Sequence, residues 1–129
     1  MNQRLAARPD LLVPACGQLA RLPRPLVSVA LSHAAPGSAS VLDVERQLRC
    51  LLQEHQGDHH ALVLQLDGSV TTAVWTSWAD DQVPEAVEVR DDCTAVSSPG
   101  RGSQPCCEYA EHPGAHTFDV EDPAVLEVL

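Results

Sequence analysis

Ser40-Val41-Leu42-Asp43-Val44-Glu45-Arg46-Gln47-Leu48-Arg49-Cys50-Leu51-Leu52-Gln53-Glu54-His55, with Gly57 two residues on, is the stretch on which the fold turns. Val41, Val44, Leu48, Leu51 and Leu52 recur at helical spacing and form one apolar stripe. Ser40 is a natural N-cap, and Asp43 stands three residues further on, as in a capping box. Glu45 and Arg49 make a favourable i,i+4 pair on the wet side, and Gly57 is placed to end the element. The spacing predicts a helix over 41–55.

On either side the pattern changes to a period of two. Leu26–Leu31 alternates, with Val27, Val29 and Leu31 on one face, which predicts a strand. Pro36-Gly37-Ser38 marks a loop over 33–40. After the helix, Ala61–Leu66 points Leu62, Leu64 and Leu66 one way, and Asp67-Gly68 suits a type I′ turn. Val70–Trp75 returns, with Val70, Thr72 and Val74 opposite Thr71, Ala73 and Trp75. Ala86–Arg90 makes a fourth strand. The order β-α-β-β-β predicts an α+β fold: a small, mostly antiparallel sheet with one covering helix. The segment from Val41 to Trp75 resembles part of the roadblock/longin-like dimerisation modules. Those modules place another helix after the hairpin, where Ser77–Pro84 carries none.

The organisation reads as an arm, a core, a linker and a tail. Residues 1–25 are an arm rich in Pro and Arg, with a short helix expected around Gln18–Leu22. Residues 26–96 are the core, and Ser97–Pro105, full of turn-formers, is a linker. Residues 106–129 are an acidic segment containing Cys and His. The pattern of elements predicts no internal repeat.

Charge narrows the partners. The chain of 129 residues carries a formal net charge of −10, and residues 1–24 hold Arg4, Arg8, Arg21 and Arg24 against Asp10 alone. Clustered cations are what phosphate binding needs, so direct nucleic-acid binding by the core is disfavoured. A protein partner, basic or a second copy of the chain, fits better. Without a single lysine the chain has no Schiff-base or P-loop lysine to offer. The lysine-free, Ala-, Leu- and Pro-rich composition matches high-GC bacterial coding.

Five cysteines, at 16, 50, 93, 106 and 107, are an odd set for a disulfide scaffold. A disulfide from Cys93 to Cys106 or Cys107 is the reading for an oxidising compartment. Leu12-Val13-Pro14-Ala15-Cys16 is similar to a lipoprotein cleavage site, but the apolar stretch before it is short and interrupted by Asp10 and Pro14. No apolar run is long enough to span a bilayer. The expectation is a cytoplasmic protein, or a virion component, with no membrane contact.

The sharpest constellation is Cys107-x4-His112-x3-His116, with Cys106 beside it and Cys93 upstream. Zinc takes four N/S ligands in a tetrahedron, and the turn expected of His112-Pro113-Gly114-Ala115-His116 brings both imidazoles to one ion. Cys107 or Cys106 supplies a third ligand and Cys93 a fourth. Such a site is structural, because a catalytic one needs an open position. The Cys…His-Pro-Gly-x-His box over about residues 106–119 resembles one carried by short uncharacterised proteins of high-GC bacteria and their phages. The resemblance implies no activity. A second group, His55, Asp58, His59 and His60, reads as solvent-facing histidines at a helix end, mildly sensitive to pH. Trp75 reads as core and Trp78 as exposed. The chain reads as a non-enzymatic interaction module with a structural zinc site. The rival is a small metal-dependent or thiol enzyme using Cys106 or Cys107 with His112.

Overall fold

The computed structural model describes residues 13–66, 72–97 and 104–121. In chain order the elements are β1 (Val13–Pro14), β2 (Leu19–Arg21), α1 (Arg24–Leu31), β3 (Gln47–Arg49), β4 (His59–Gln65), β5 (Thr72–Trp78), β6 (Val87–Asp91) and β7 (Val120–Glu121). Strands β4, β5 and β6 form an antiparallel sheet, β2 and β3 an antiparallel ribbon, and β1 pairs with β7 in parallel. Among the described residues, one helix and small, mostly antiparallel sheets make this an α+β fold.

Helix and strand exchange places relative to the sequence expectation. The helix is Arg24–Leu31, not 41–55, and it starts where Pro25 sets φ in the first turn. Its buried residues, Val27 and Ala30, lie three apart, while Val29 of the apparent alternation is 43% exposed. The 41–55 stretch is largely extended. Val44, Leu48 and Leu52 are buried and four apart, a spacing that a helix and a strand both repeat. Cys50, fully buried between Leu48 and Leu52, completes a period of two. Val41 and Leu51, which only a helix would bury, are exposed. The capping box exists, with Ser40 N–H donating to Asp43 Oδ2 at 2.9 Å, but it caps a 3-10 turn at Val41–Asp43. The resemblance to the dimerisation modules therefore lacks its helix.

Leu19–Arg21 is strand rather than helix because β3 supplies its hydrogen-bond partners, Ala20 standing opposite Leu48. In β4, His59, Ala61 and Val63 are buried up to a register shift between Leu62 and Leu64, beyond which Leu64 and Leu66 are buried. That bulge is why one apolar face cannot be read straight along the strand. Asp67-Gly68 and the 98–103 part of the expected linker lie outside the described residues. The flanks of that stretch hold each other, with Ser97 N–H donating to the Gln104 carbonyl at 2.8 Å and Val96 bridged to Pro105.

The sheet is covered on both faces. Helix α1, β3 and one face of β4–β5 enclose the main core, which includes Leu22, Leu48, Leu52, Val63, Val74 and Trp78. Ala73 and Trp75 face the other way, onto Tyr109 of the C-terminal segment. Trp78 is 4% exposed, so the expectation of an exposed indole fails. It points into the core because it shares a strand face with Val74.

Candidate metal centres

Two groups of two cysteines and two histidines converge in the fold. Within each, the four candidate ligand atoms lie within 4.8 Å of one another. The C-terminal group is Cys93, Cys106, His112 and His116, and the N-terminal group is Cys16, Cys50, His55 and His59. All five cysteines are free thiols, so no Cys93 disulfide forms.

In the C-terminal group, Cys106 Sγ lies 3.4 Å from His112 Nε2, and Cys93 Sγ lies 3.6 Å from His116 Nδ1. In the N-terminal group, Cys50 Sγ lies 3.4 Å from His55 Nε2, and Cys16 Sγ lies 3.3 Å from His59 Nδ1. Zinc, at about 2.3 Å from sulfur and about 2.0–2.1 Å from nitrogen, sets its ligand atoms roughly 3.3–3.8 Å apart along the tetrahedron edges. The observed separations fit that geometry, and the N/S donor set suits zinc.

Tautomers support the same reading. His55 Nδ1 is 2.8 Å from the Gln56 carbonyl and His112 Nδ1 is 3.1 Å from the Pro113 carbonyl. A carbonyl only accepts, so each Nδ1 carries the proton and each Nε2 turns its lone pair to the centre. His59 Nε2 donates to Asp80 Oδ1 at 2.5 Å, which leaves Nδ1 bare toward Cys16.

The two centres are built on one backbone plan. Cys16 N–H donates to the Leu52 carbonyl and Cys50 N–H to that of Gln18; Cys93 N–H donates to the Glu108 carbonyl and Cys106 N–H to that of Ala95. In both, the donor–acceptor offsets from the two cysteines are identical. The bridges Ala15–Gln53 and Asp92–Tyr109 match in the same register, as do the pairs Leu19–Arg49 and Val96–Pro105. Glu54 N–H donates to the Pro14 carbonyl as Ala110 N–H does to that of Asp91. The second cysteine's sulfur also receives the backbone N–H after the last histidine, His60 in one centre and Thr117 in the other.

The likeness is legible in the sequence and was missed there. Residues 50–59 and 107–116 both read Cys-x3-Glu-His-x-Gly-x-His. The glycines have positive φ, +91° at Gly57 and +78° at Gly114, which turns the chain so that the two imidazoles face each other. Yet the sequence register pairs Cys50 with Cys107, whereas the hydrogen bonds pair it with Cys106. Cys107 is exposed, its sulfur 3.8 Å from the Pro105 carbonyl and outside the group. The second centre absorbs one extra residue before His112 at Glu111, whose φ is +66°.

His59, expected at the surface, is 3% exposed, and the strand it starts carries it inward beside Trp78. Asp58 remains exposed and His60 packs on the Tyr109 ring, its pKa lowered by burial. Each centre also touches the other through equivalent positions. Gln53 Oε1 accepts the Ala115 N–H at 2.9 Å, and the Tyr109 ring meets His60 at a tilt and Trp75 edge-on. A side chain at Gly114 would place its Cβ 2.8 Å from Gln53 Cβ, so only glycine fits both the turn and the contact.

Burial pushes the Cys50 thiol up to about 11 and raises Cys93 as well. Without a metal these sulfurs stay protonated, so ligation must release their protons. Glu108 occupies the place that Leu52 takes in the other unit. It is 3% exposed, its Oε1 has no partner among the described residues, and burial raises its pKa from 4.5 to about 7. A raised carboxyl pKa stabilises the fold fully below about pH 4.5, and that contribution is lost as pH rises through about 7. Glu108→Gln is therefore expected to gain about 2–3 kcal/mol over the native chain above pH 7, and little at acid pH. Denaturant melts of both proteins at pH 5 and pH 8 check this. An equal difference at both pH values would contradict it.

No protein-family model, curated protein or solved structure matches this chain.

Proposed function

We propose that this chain is a non-enzymatic protein-interaction module whose C-terminal segment is clamped to the sheet by a structural zinc at Cys93, Cys106, His112 and His116. The observation that supports the reading is the donor set: two sulfurs and two imidazole nitrogens within 4.8 Å of one another, the number and kind of ligands a structural zinc takes without a water or substrate. Zinc there would supply cross-linking, not Lewis-acid chemistry. The clamp joins the strand that ends at Asp91 to the segment that covers Trp75 through Tyr109.

Interaction is supported by what the surface leaves uncovered. Leu42 is 92% exposed, and Leu19, Val41 and Val96 are each more than half exposed. With a net charge of −10, the partner that fits is a basic protein or a second copy, not a nucleic acid. Free thiols suit a reducing setting, the cytoplasm or a virion interior. Among the described residues no helix is long and apolar enough to cross a membrane. On this reading the Cys…His-Pro-Gly-x-His box of short proteins from high-GC bacteria and phages is itself a zinc clamp.

Cobalt(II) substitution tests the closed site. The full chain should show the strong visible bands of a tetrahedral thiolate–imidazole centre, unchanged by added azide or cyanide. Bands that move with either anion would mean an open coordination position, and would favour the metal-dependent enzyme instead.

A further inference from the structure

We propose that Cys16, Cys50, His55 and His59 hold a second zinc ion, and that this N-terminal centre is the tighter of the two, so that the C-terminal zinc is the one exchanged. The proposal rests on the zinc reading of the C-terminal centre and extends it to a site the sequence pattern did not assign.

The first half of the proposal follows from the shared backbone plan. Two centres with the same hydrogen-bond register between their cysteines, the same Cys–His nitrogen pairing and the same glycine turn present the same donors in the same arrangement. A metal that suits one suits the other. On binding, the two thiols release two protons to solvent and no electrons move.

The order of affinity follows from what lies behind the ligands. His59 is 3% exposed, and Asp80 accepts its Nε2–H, an arrangement that fixes the tautomer and holds the ring with Nδ1 toward the centre. The equivalent residue, His116, has no such carboxylate among the described residues; its ring stacks on Phe118 at a centroid distance of 5.3 Å. His55 and His112 are backed alike by backbone carbonyls, so they do not separate the centres. Local strain points the same way. The C-terminal loop needs Glu111 at φ +66°, whereas no non-glycine residue of the 50–59 loop has positive φ.

The consequence is a graded response to zinc supply. As zinc falls, the C-terminal centre empties first, releasing the segment around Tyr109 while β2, β3 and β4 remain tied together.

Native mass spectrometry of the zinc-loaded full chain, titrated with a colorimetric zinc chelator, separates the possibilities. We expect two zinc ions, released in two steps at least about tenfold apart. His116→Ala should remove the easier step and keep one ion. Asp80→Ala, at a side chain 76% exposed and so harmless to folding, should weaken the tight step about 10–100-fold and leave the other unchanged. One ion only, retained in a Cys50→Ser chain, would overturn the second site while leaving the C-terminal clamp intact. Two ions lost in one step, or an Asp80→Ala chain that releases zinc like the native one, would overturn the order. No bound zinc at all would remove this proposal together with the clamp.

Discussion

Stripping zinc from the loaded protein with a strong chelator is expected to abolish cooperative thermal unfolding, the largest effect of any perturbation considered for this chain. Structural zinc in small modules contributes apparent binding free energies of about 10–16 kcal/mol near neutral pH. A whole domain has a net stability of only about 5–15 kcal/mol. Here the apolar cluster under the C-terminal segment is small, three buried residues with Leu62 at its margin. Trp75 and Trp78 report on both sides of the sheet: Trp75 contacts Tyr109 at 5.3 Å, and Trp78 lies 5.6 Å from the His59 ring. Chelation should shift tryptophan emission to the red and flatten the melt, and added zinc should restore both. A metal-free chain that melts as sharply and as high as the loaded one would refute the clamp.

Leu48→Ala is expected to cost about 2–5 kcal/mol, the next largest effect. Leu48 is 1% exposed within the main core, and β3 cannot shift to fill the void because it is paired with β2 on one side. The substitution also loosens the strand that delivers Cys50 to its centre two residues on. For a domain of this size the melting midpoint should fall by roughly 10 °C or more. Leu51→Ala, at a neighbouring side chain that is 36% exposed, is the matched control and should fall far less. Equal losses at the two positions would mean that the period of two assigned here is wrong.

The contrast between Leu48 and Leu51 shows where sequence reading succeeded and where it did not. Leu48 belongs to the core on either the helical or the extended reading, because positions four apart share a face in both. Leu51 separates the two readings, and nothing local decides it. The same ambiguity made Leu26–Leu31 look like a strand, although Pro25 in the first turn favours the helix that forms. For the C-terminal centre, the His112-x3-His116 spacing was legible, with Cys93 and one of Cys106 and Cys107 as further donors; the tertiary fold brings Cys93, Cys106, His112 and His116 together and leaves Cys107 out. The N-terminal centre was hidden because its cysteines stand 34 residues apart, with the whole of α1 between them. The repeat of Cys-x3-Glu-His-x-Gly-x-His was the available signal.

The α+β class, the β4–β5–β6 strands, the acidic balance and the chemistry of the donors follow from composition and short-range pattern alone. Only the tertiary structure decided which of Cys106 and Cys107 faces the centre, that Cys16 meets His59, and that 41–55 is extended. Those outcomes depend on strand pairing between distant segments, where hydrogen bonds to a partner strand and burial on a shared face outweigh the weak local preference for a helix.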